Sequence, residues 1–278
     1  MTVRNQIFTL LTFFIVAVSG CASWVPQGKS QQTGSMVDYL YPDSKDAPRL
    51  QQVVTSLRPP VRVGVAFVPS GGWGNGPTEA DKMKLLDRVK ASFGKYDFIG
   101  NIEVIPSQYL KPKGGFSNLS QVARMFNVEV VALISYDQVQ FNDTNALSLL
   151  YWTIIGAYVI HGDQYDIQTM LDASVFDVNS QKLLFRAPGS SQVKGSASMS
   201  GFSEVARAGR LDGFNKAVDD LIPNLQTSLA DFKERIKKDA TVRVENKAGY
   251  SGGGDVGWIG ALLAFAIWGS WLVAKKRA

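Results

Sequence analysis

The chain has 278 residues and a formal charge of +5. Arg4, Asp255 and the last three basic residues lie in terminal segments that read as sorting signals, and without them 25 basic and 23 acidic residues leave a charge of about +2. A nearly neutral domain is not expected to bind nucleic acid. The single cysteine and single histidine exclude an intrachain disulfide and a zinc site built from a Cys/His cluster.

The N-terminal residues 1–20 have the pattern of a secretory signal peptide, with a basic start and an apolar run from 7 to 18. The run is too short for a comfortable membrane span. The tripeptide Val18-Ser19-Gly20 in front of Cys21 resembles the bacterial lipobox. This resemblance implies that Cys21 carries a diacylglycerol, and Ala22 in place of aspartate implies passage beyond the inner membrane. The alternative is an ordinary signal peptide followed by a chance cysteine.

Residues 21–37 are mostly polar, with a proline and two glycines, and are predicted to be a flexible tether. The domain itself is predicted to span 38–246. Its first half alternates between β-branched runs and amphipathic periods. These patterns predict strands at 61–68, 102–106 and 128–141 and helices at 78–93 and 117–126. This order predicts an α/β layer with parallel strand pairing.

A glycine-rich loop, residues 70–77, separates the first of these strands from its helix. Such a loop can cradle a phosphate on its backbone N–H groups. It lacks both the Gly-Lys-Ser/Thr ending and the spaced dinucleotide pattern, and Trp73 lies in its middle. A flexible surface loop is the favoured interpretation.

An unusual apolar stretch occupies residues 147–160, where both alternate faces are apolar. It is predicted to be a central strand, or a pair of strands broken at Gly156. The alternative is a hairpin that inserts into a membrane or contacts another subunit. The stretch is too short for a helix across a bilayer.

The second half of the domain is predicted to be an antiparallel hairpin followed by a long helix. Alternation over 165–176 indicates a half-buried strand, which returns at 183–186 and is followed by a Gly/Ser-rich loop from 188 to 200. Apolar spacing of three and four residues predicts a helix over 203–237. Pro223 is expected to kink or divide this helix, and Gly209 and Gly213 to shorten its start. A short strand at 242–244 is predicted to follow.

No catalytic, cofactor-binding or metal-binding group stands out. His161 follows the apolar stretch and is favoured as a structural hydrogen-bonding residue. Asp163, Asp166 and Asp172 lie close in sequence and can in principle bind a cation. Because Asp166 and Asp172 share the exposed face of a strand, solvation is favoured. The prediction is therefore a protein that is not an enzyme and holds no cofactor.

The C-terminus is predicted to be a glycine-rich linker and processing region at 247–255, followed by a membrane-sorting helix at 256–278. Residues 256–274 carry no charge, which gives a helix just long enough to cross a hydrocarbon core of about 30 Å. The basic residues Lys275, Lys276 and Arg277 are expected to stay on the cytoplasmic side. A permanent tail anchor is one interpretation of this segment.

The glycines Gly252, Gly253 and Gly254 at the outer end of the segment indicate a cleaved signal instead, because glycine weakens a helix and leaves its backbone open to a protease. The whole arrangement resembles the Gly-Gly C-terminal sorting signal that rhombosortases cut. These enzymes are serine proteases of the rhomboid class.

Together with the lipobox and this tail, the central runs Tyr151-Trp152-Thr153-Ile154-Ile155-Gly156-Ala157-Tyr158, Val175-Phe176-Asp177 and Leu183-Leu184-Phe185-Arg186-Ala187-Pro188-Gly189 resemble the rhombotarget lipoprotein family. The resemblance implies a bacterial envelope lipoprotein, often linked with type II secretion, that rhombosortase cuts and that ends at the outer membrane or cell surface. Its partners would be membrane lipids and the lipoprotein-processing enzymes. Its role would be binding or structural. By element order alone, the centre also resembles curli-export lipoproteins, so the alternative is a homo-oligomeric envelope or secretion component.

Overall fold

The structure is a computed structural model that describes residues 28–42, 54–69, 77–144, 163–198 and 201–251. In chain order these residues form β1 (Gly28–Gly34), α1 (Met36–Leu40), β2 (Thr55–Leu57), β3 (Val61–Phe67), α2 (Glu79–Phe93), β4 (Ile99–Val104), α3 (Gly115–Met125), β5 (Val130–Thr144), β6 (Asp163–Asp177), β7 (Leu183–Ala197), α4 (Phe202–Ile236) and β8 (Val242–Val244). A short 3-10 turn, Ser107–Tyr109, follows β4. The predicted α/β class, with a mixed sheet and a long C-terminal helix, is confirmed.

Six strands form one mixed sheet in the order β4-β3-β5-β6-β7, and β1 pairs with the far half of β5 on the edge that β3 leaves free. β3 is parallel to both β4 and β5, whereas β5, β6 and β7 are antiparallel along their length. β2 and β8 form a separate two-stranded parallel sheet. The predicted parallel layer and antiparallel hairpin therefore belong to the same sheet.

The two crossover helices lie on opposite faces of the sheet. β4 and β5 flank β3 on its two sides, so two right-handed crossovers place α2 on one face and α3 on the other. One core joins α2, α4 and inward side chains such as Phe67 and Ala132. The second core joins α1, α3 and side chains such as Val131 and Phe176. Both faces of the parallel strands are thus covered, as their continuous apolar sequence predicts.

The boundaries of α2 and α3 follow their capping residues. Thr78 Oγ1 accepts a hydrogen bond from the backbone N–H of Asp81 at 3.2 Å, which satisfies one of the free donors at the start of α2. Gly94 follows the last residue of α2. Asn127, just beyond α3, has a φ of 55°, the left-handed conformation that asparagine tolerates at a helix end. These residues fix where the two helices begin and end.

α4 is one continuous helix of 35 residues that packs across β6 and β7. Pro223 lies inside α4 without dividing it, because buried Leu221 and Leu225 hold the helix against the sheet on both sides of the proline. Gly209 and Gly213 do not shorten the helix. They let it approach the strands, since an added Cβ would lie 3.0 Å from the Tyr165 ring and 2.7 Å from Thr169 Oγ1, respectively.

The described part of the predicted tether, residues 28–37, is not a free linker but β1 and the start of α1. β1 pairs with β5 from Gly28 opposite Asn142 to Gly34 opposite Tyr136. Gln31 Nε2 also donates to the Asp137 carboxylate at 3.0 Å. The strand is almost entirely polar, so its backbone hydrogen bonds to β5 hold it in place, and a hydrophobic pattern cannot reveal it.

The predicted Gly/Ser-rich loop from 188 to 200 is also wrong, because β7 continues to Ala197. Side chains of α4 bind the outer edge of this strand. Asp220 Oδ2 accepts from the Ser190 backbone N–H at 2.9 Å, and Asn224 Nδ2 donates to the Pro188 carbonyl at 3.0 Å. The helix therefore supplies the partners that an edge strand lacks.

Several predicted segments lie outside the described residues: the signal peptide 1–20, the glycine-rich loop 70–76, the apolar stretch 147–160 with His161, and the C-terminal segment from 252 onward. In the part that is described, no helix is long and apolar enough to cross a membrane.

Candidate functional site

An apolar cleft lies between the sheet and the C-terminal halves of α2 and α4. It has a volume of about 340 Å³, near the lower end of the range for pockets that hold small ligands. It lies where β3, β4 and β5 begin, with Val61, Ile99 and Val130 in its wall. Open α/β sheets commonly bind ligands at the opposite edge, beyond the carboxyl ends of the strands. β3 ends at Phe67, at that other edge of the sheet, so the cleft does not occupy this usual position.

The lining of the cleft is apolar and comes from the sheet, both helices and the segments beside β2 and β8. The apolar members are Leu57, Pro59, Val61, Val63, Val65, Val89, Phe93, Phe98, Ile99, Ile102, Val130, Ala132, Val175, Leu184, Phe185, Leu225, Leu229, Phe232, Ile236 and Val244. Four polar residues complete the lining: Lys90, Lys233, Asn246 and Tyr250. No acidic side chain is among these residues.

Part of this apolar wall stays exposed to solvent. Val63, Phe98 and Phe185 pack against the main core but are only half-buried. Phe185 packs on Phe232 of α4 with ring centroids 5.3 Å apart, which holds this half-buried ring against the main core. Covering apolar surface is worth roughly 25 cal/mol per Å², and this wall therefore favours an apolar ligand.

The two lysines of the cleft have no ion pair within the described residues. Lys233 places Nζ 4.8 Å from the centroid of the Phe98 ring, which puts its charge directly beside the apolar wall. Lys90 lies in the last turn of α2. Cations at helix C-termini are favourable because they face the negative end of the helix dipole. They also leave this margin of the cleft with positive charge.

The stretch after β8, residues 245–251, closes one side of the cleft and is fastened by Lys247. Lys247 Nζ donates to Glu129 Oε2 at 2.9 Å and to the Pro60 carbonyl at 3.0 Å. Glu129 also accepts from the Arg62 backbone N–H and guanidinium, each at 3.1 Å. Burial alone would raise the pKa of Glu129, but the hydrogen bonds and charges of Lys247 and Arg62 outweigh it and lower that pKa. These contacts fix Asn246 and Tyr250 as part of the wall.

A cluster of Ser107, Lys82 and Glu79 lies at the carboxyl edge of β3 and β4. Lys82 Nζ is 3.3 Å from Ser107 Oγ. Glu79 accepts from the Ser107 N–H at 2.6 Å and from its hydroxyl at 2.5 Å. Lys82 Nζ donates to the serine hydroxyl, which in turn donates to Glu79. The cluster fastens α2 to the 3-10 turn and is structural.

Two of the three carboxylates weighed as cation ligands, Asp166 and Asp172, are paired with basic residues instead. Asp166 Oδ2 is 3.6 Å from Lys194 Nζ and Asp172 Oδ1 is 3.2 Å from Arg186 Nε. Within the described ranges, no three His, Cys, Asp or Glu residues group closely enough to hold a metal ion.

The structure does not place the site residues that the sequence analysis predicts. The lipobox Val18-Ser19-Gly20, Cys21, the glycines 252–254 and the basic residues 275–277 all lie outside the described ranges. The cleft itself was not predicted. Each lining residue follows an ordinary core pattern of its own strand or helix. No local sequence signal shows that the apolar faces of the sheet, α2 and α4 leave a gap between them.

Comparison with known proteins identifies no family. No family model matches the sequence, and no curated protein matches it. Among solved structures, a homologue of the neuraminyllactose-binding hemagglutinin from Helicobacter pylori is similar with a TM-score of 0.39 at 6% identity, covering 69% of this chain and 97% of its own. Two structures of the PelC dodecamer from Paraburkholderia phytofirmans give TM-scores of 0.24 and 0.23 at 13% identity, covering 68% of this chain and 98% and 97% of theirs. Similarities this low carry no argument about this chain.

Proposed function

We propose that this chain is an exported bacterial envelope lipoprotein that binds an apolar small molecule in the cleft between its sheet and α4. The observation that carries the binding role is the cleft of about 340 Å³ with an almost wholly apolar wall. The proposed cellular location rests on the sequence. The lipobox before Cys21 and the Gly252–Gly254 signal support acylation, export and trimming by a rhombosortase. Lipoprotein-processing enzymes and membrane lipids would be its partners on that route.

A neutral photoreactive hydrocarbon tests the binding role on the full chain in its native membranes. Labelling should map to peptides of β3 and α4 that line the cleft. Val63→Phe should abolish it, because a larger side chain at this half-buried position fills the cleft. Val205→Phe is the matched control, since Val205 lies on α4, is 39% exposed and is not part of the cleft. Equal labelling in both variants, or none in the wild type, would overturn this role.

Self-association is a second candidate, favoured by apolar side chains on the face of the sheet opposite α4. Met170 is 61% exposed and Phe141 is 38% exposed, and both belong to the long β5–β6 pair that residues 145–162 connect. Isolated exposed apolar side chains are common, but two on one sheet face can mark a contact surface.

Light scattering in mild detergent tests self-association. A ring or other oligomer should give a single large species, and Met170→Lys with Phe141→Lys should reduce it to the monomer mass. Leu183→Lys, at a 43% exposed site at the start of β7, should not. A monomeric wild type would exclude this second candidate.

A further inference from the structure

We infer that the ligand of the cleft is a single acyl chain with an anionic head group, whose tail lies along the sheet and whose head contacts Lys90 and Lys233. The inference rests on the proposed binding role and names the chemistry of its ligand. A free long-chain fatty acid is the simplest molecule with both features.

The wall of the cleft determines the chemistry of the tail. Side chains such as Val63, Ala132 and Leu229 offer no hydrogen-bond donor or acceptor to a ligand. A polar group inserted among them would lose its water without a partner, which is strongly unfavourable. The inserted part must therefore be hydrocarbon. A volume of about 340 Å³ is at the small end of ligand pockets, so it accommodates one chain rather than the two of a diacyl lipid.

The charges at the margin determine the chemistry of the head. Lys90 and Lys233 come from different helices, and both belong to the cleft lining. In the described part of the chain neither makes an ion pair, and no carboxylate lines the cleft to compete for them. Glu234, the acidic neighbour of Lys233 in sequence, is paired with Lys237 at 2.7 Å. Two ammonium groups that make no ion pair, beside an apolar wall, complement a carboxylate or phosphate on an apolar tail.

Photoreactive dodecanoic acid, with dodecanol carrying the same photoreactive group as its neutral counterpart, tests the inference on the full chain in native membranes. The acid should label the cleft peptides of β3 and α4 roughly ten-fold more than the alcohol at equal concentration. Unlabelled fatty acids should compete about four-fold better for each added methylene until the cleft is full.

Two pairs of substitutions separate the head group from non-specific charge effects. Lys90→Gln with Lys233→Gln should remove the preference for the acid and leave labelling by the alcohol unchanged. The control pair is Lys84→Gln with Lys238→Gln, because both lysines are exposed, lie near the same helices and do not line the cleft. Thermal unfolding of both double variants checks that they fold.

Each outcome decides the inference. Equal labelling by acid and alcohol would overturn the anionic head while leaving the neutral-hydrocarbon result, and with it the binding role, intact. Labelling confined to the terminal segments, or protection of the cleft by the chain's own residues 256–274, would overturn the acyl ligand altogether. Loss of acid labelling in the Lys90/Lys233 pair but not in the control pair would support it.

Discussion

At the scale of single residues, Glu129 joins the C-terminal segment to the sheet. Its carboxylate binds Lys247. This bond holds the stretch after β8, which carries the cleft residues Asn246 and Tyr250. The pKa of Glu129 is lowered in the folded protein, so its ion pair stabilises the fold above the unfolded-state pKa of about 4.3, and this stability is lost as the pH falls through the folded-state pKa.

We expect Glu129→Gln to lower the free energy of unfolding by about 1 kcal/mol at pH 7, since the pair is partly exposed. The difference from wild type should shrink as the pH falls through the lowered pKa of Glu129, because the wild-type carboxylate then becomes protonated as well. Urea unfolding across this pH range measures it. Asp87→Asn, at an exposed site on α2 with no ion pair among the described residues, should behave like wild type throughout. A constant difference at all pH values would contradict the argument.

At the scale of elements, the contact between α4 and β7 depends on Gly189. A Cβ added there would lie 2.4 Å from the Ala217 carbonyl oxygen and 2.6 Å from Leu221 Cβ. The oxygen belongs to the backbone of a packed helix and cannot move aside cheaply. Gly189→Ala should therefore lower the free energy of unfolding by about 1–3 kcal/mol, the usual cost of overpacking.

Chemical denaturation of the full chain measures this effect. Gly94→Ala is the matched control, because Gly94 has a φ of −62° and an added Cβ would have only the Lys90 carbonyl oxygen near it, at 3.8 Å. This variant should be neutral or slightly stabilised. If Gly189→Ala were equally neutral, α4 would not approach β7 as closely as the structure has it.

The contact between α4 and β7 also illustrates why the sequence predicted some elements and not others. Periodicity identified α2, α3, α4 and the apolar strands because each of these elements carries its own buried stripe. It missed β1 and the far half of β7, whose sequences Gly28–Gly34 and Gly189–Ala197 are rich in Gly, Ser and Gln. These strands depend on partners distant in sequence: backbone hydrogen bonds from β5 and β6, and a helix that requires glycine at the point of contact. Local sequence patterns carry no information about these distant hydrogen bonds or about the contact with the helix.

At the scale of the whole molecule, the cleft could not be predicted for the same reason as β1 and the far half of β7: it depends on contacts between parts of the chain that are distant in sequence. The fold class follows from the order of strands and helices. The cleft instead depends on the distance between the first residues of β3, β4 and β5 and the elements that face them, which are α4, β8 and the stretch after β8. Tyr250 lines the cleft, and Gly252, the first of the three glycines, follows two residues later in the sequence. The proposed sorting signal therefore begins next to the proposed ligand site. A domain still attached to a membrane through that signal would hold its cleft near the lipid surface, where acyl chains are available.

The proposed C-terminal processing can be tested on the glycines themselves. If Gly252, Gly253 and Gly254 form the recognition site, the mature protein should lack residues 256–278, and its domain should be held by the acylated Cys21 alone. Replacing the three glycines by leucine should extend the apolar segment and remove its weak point, because glycine is a poor helix former and exposes its backbone. The uncut form should then accumulate in the inner membrane.

Intact mass of the protein purified from membranes measures both termini at once. Wild type from cells with an active rhombosortase should show the lipid at Cys21 and no C-terminal tail, and the leucine variant should be heavier by the mass of the tail. Cys21→Ala is the complementary variant, which should lose the lipid mass and leave C-terminal trimming unaffected. A wild-type mass that still includes Lys275, Lys276 and Arg277 would identify the segment as a permanent anchor. The cleft would then stay beside the inner membrane throughout the life of the protein.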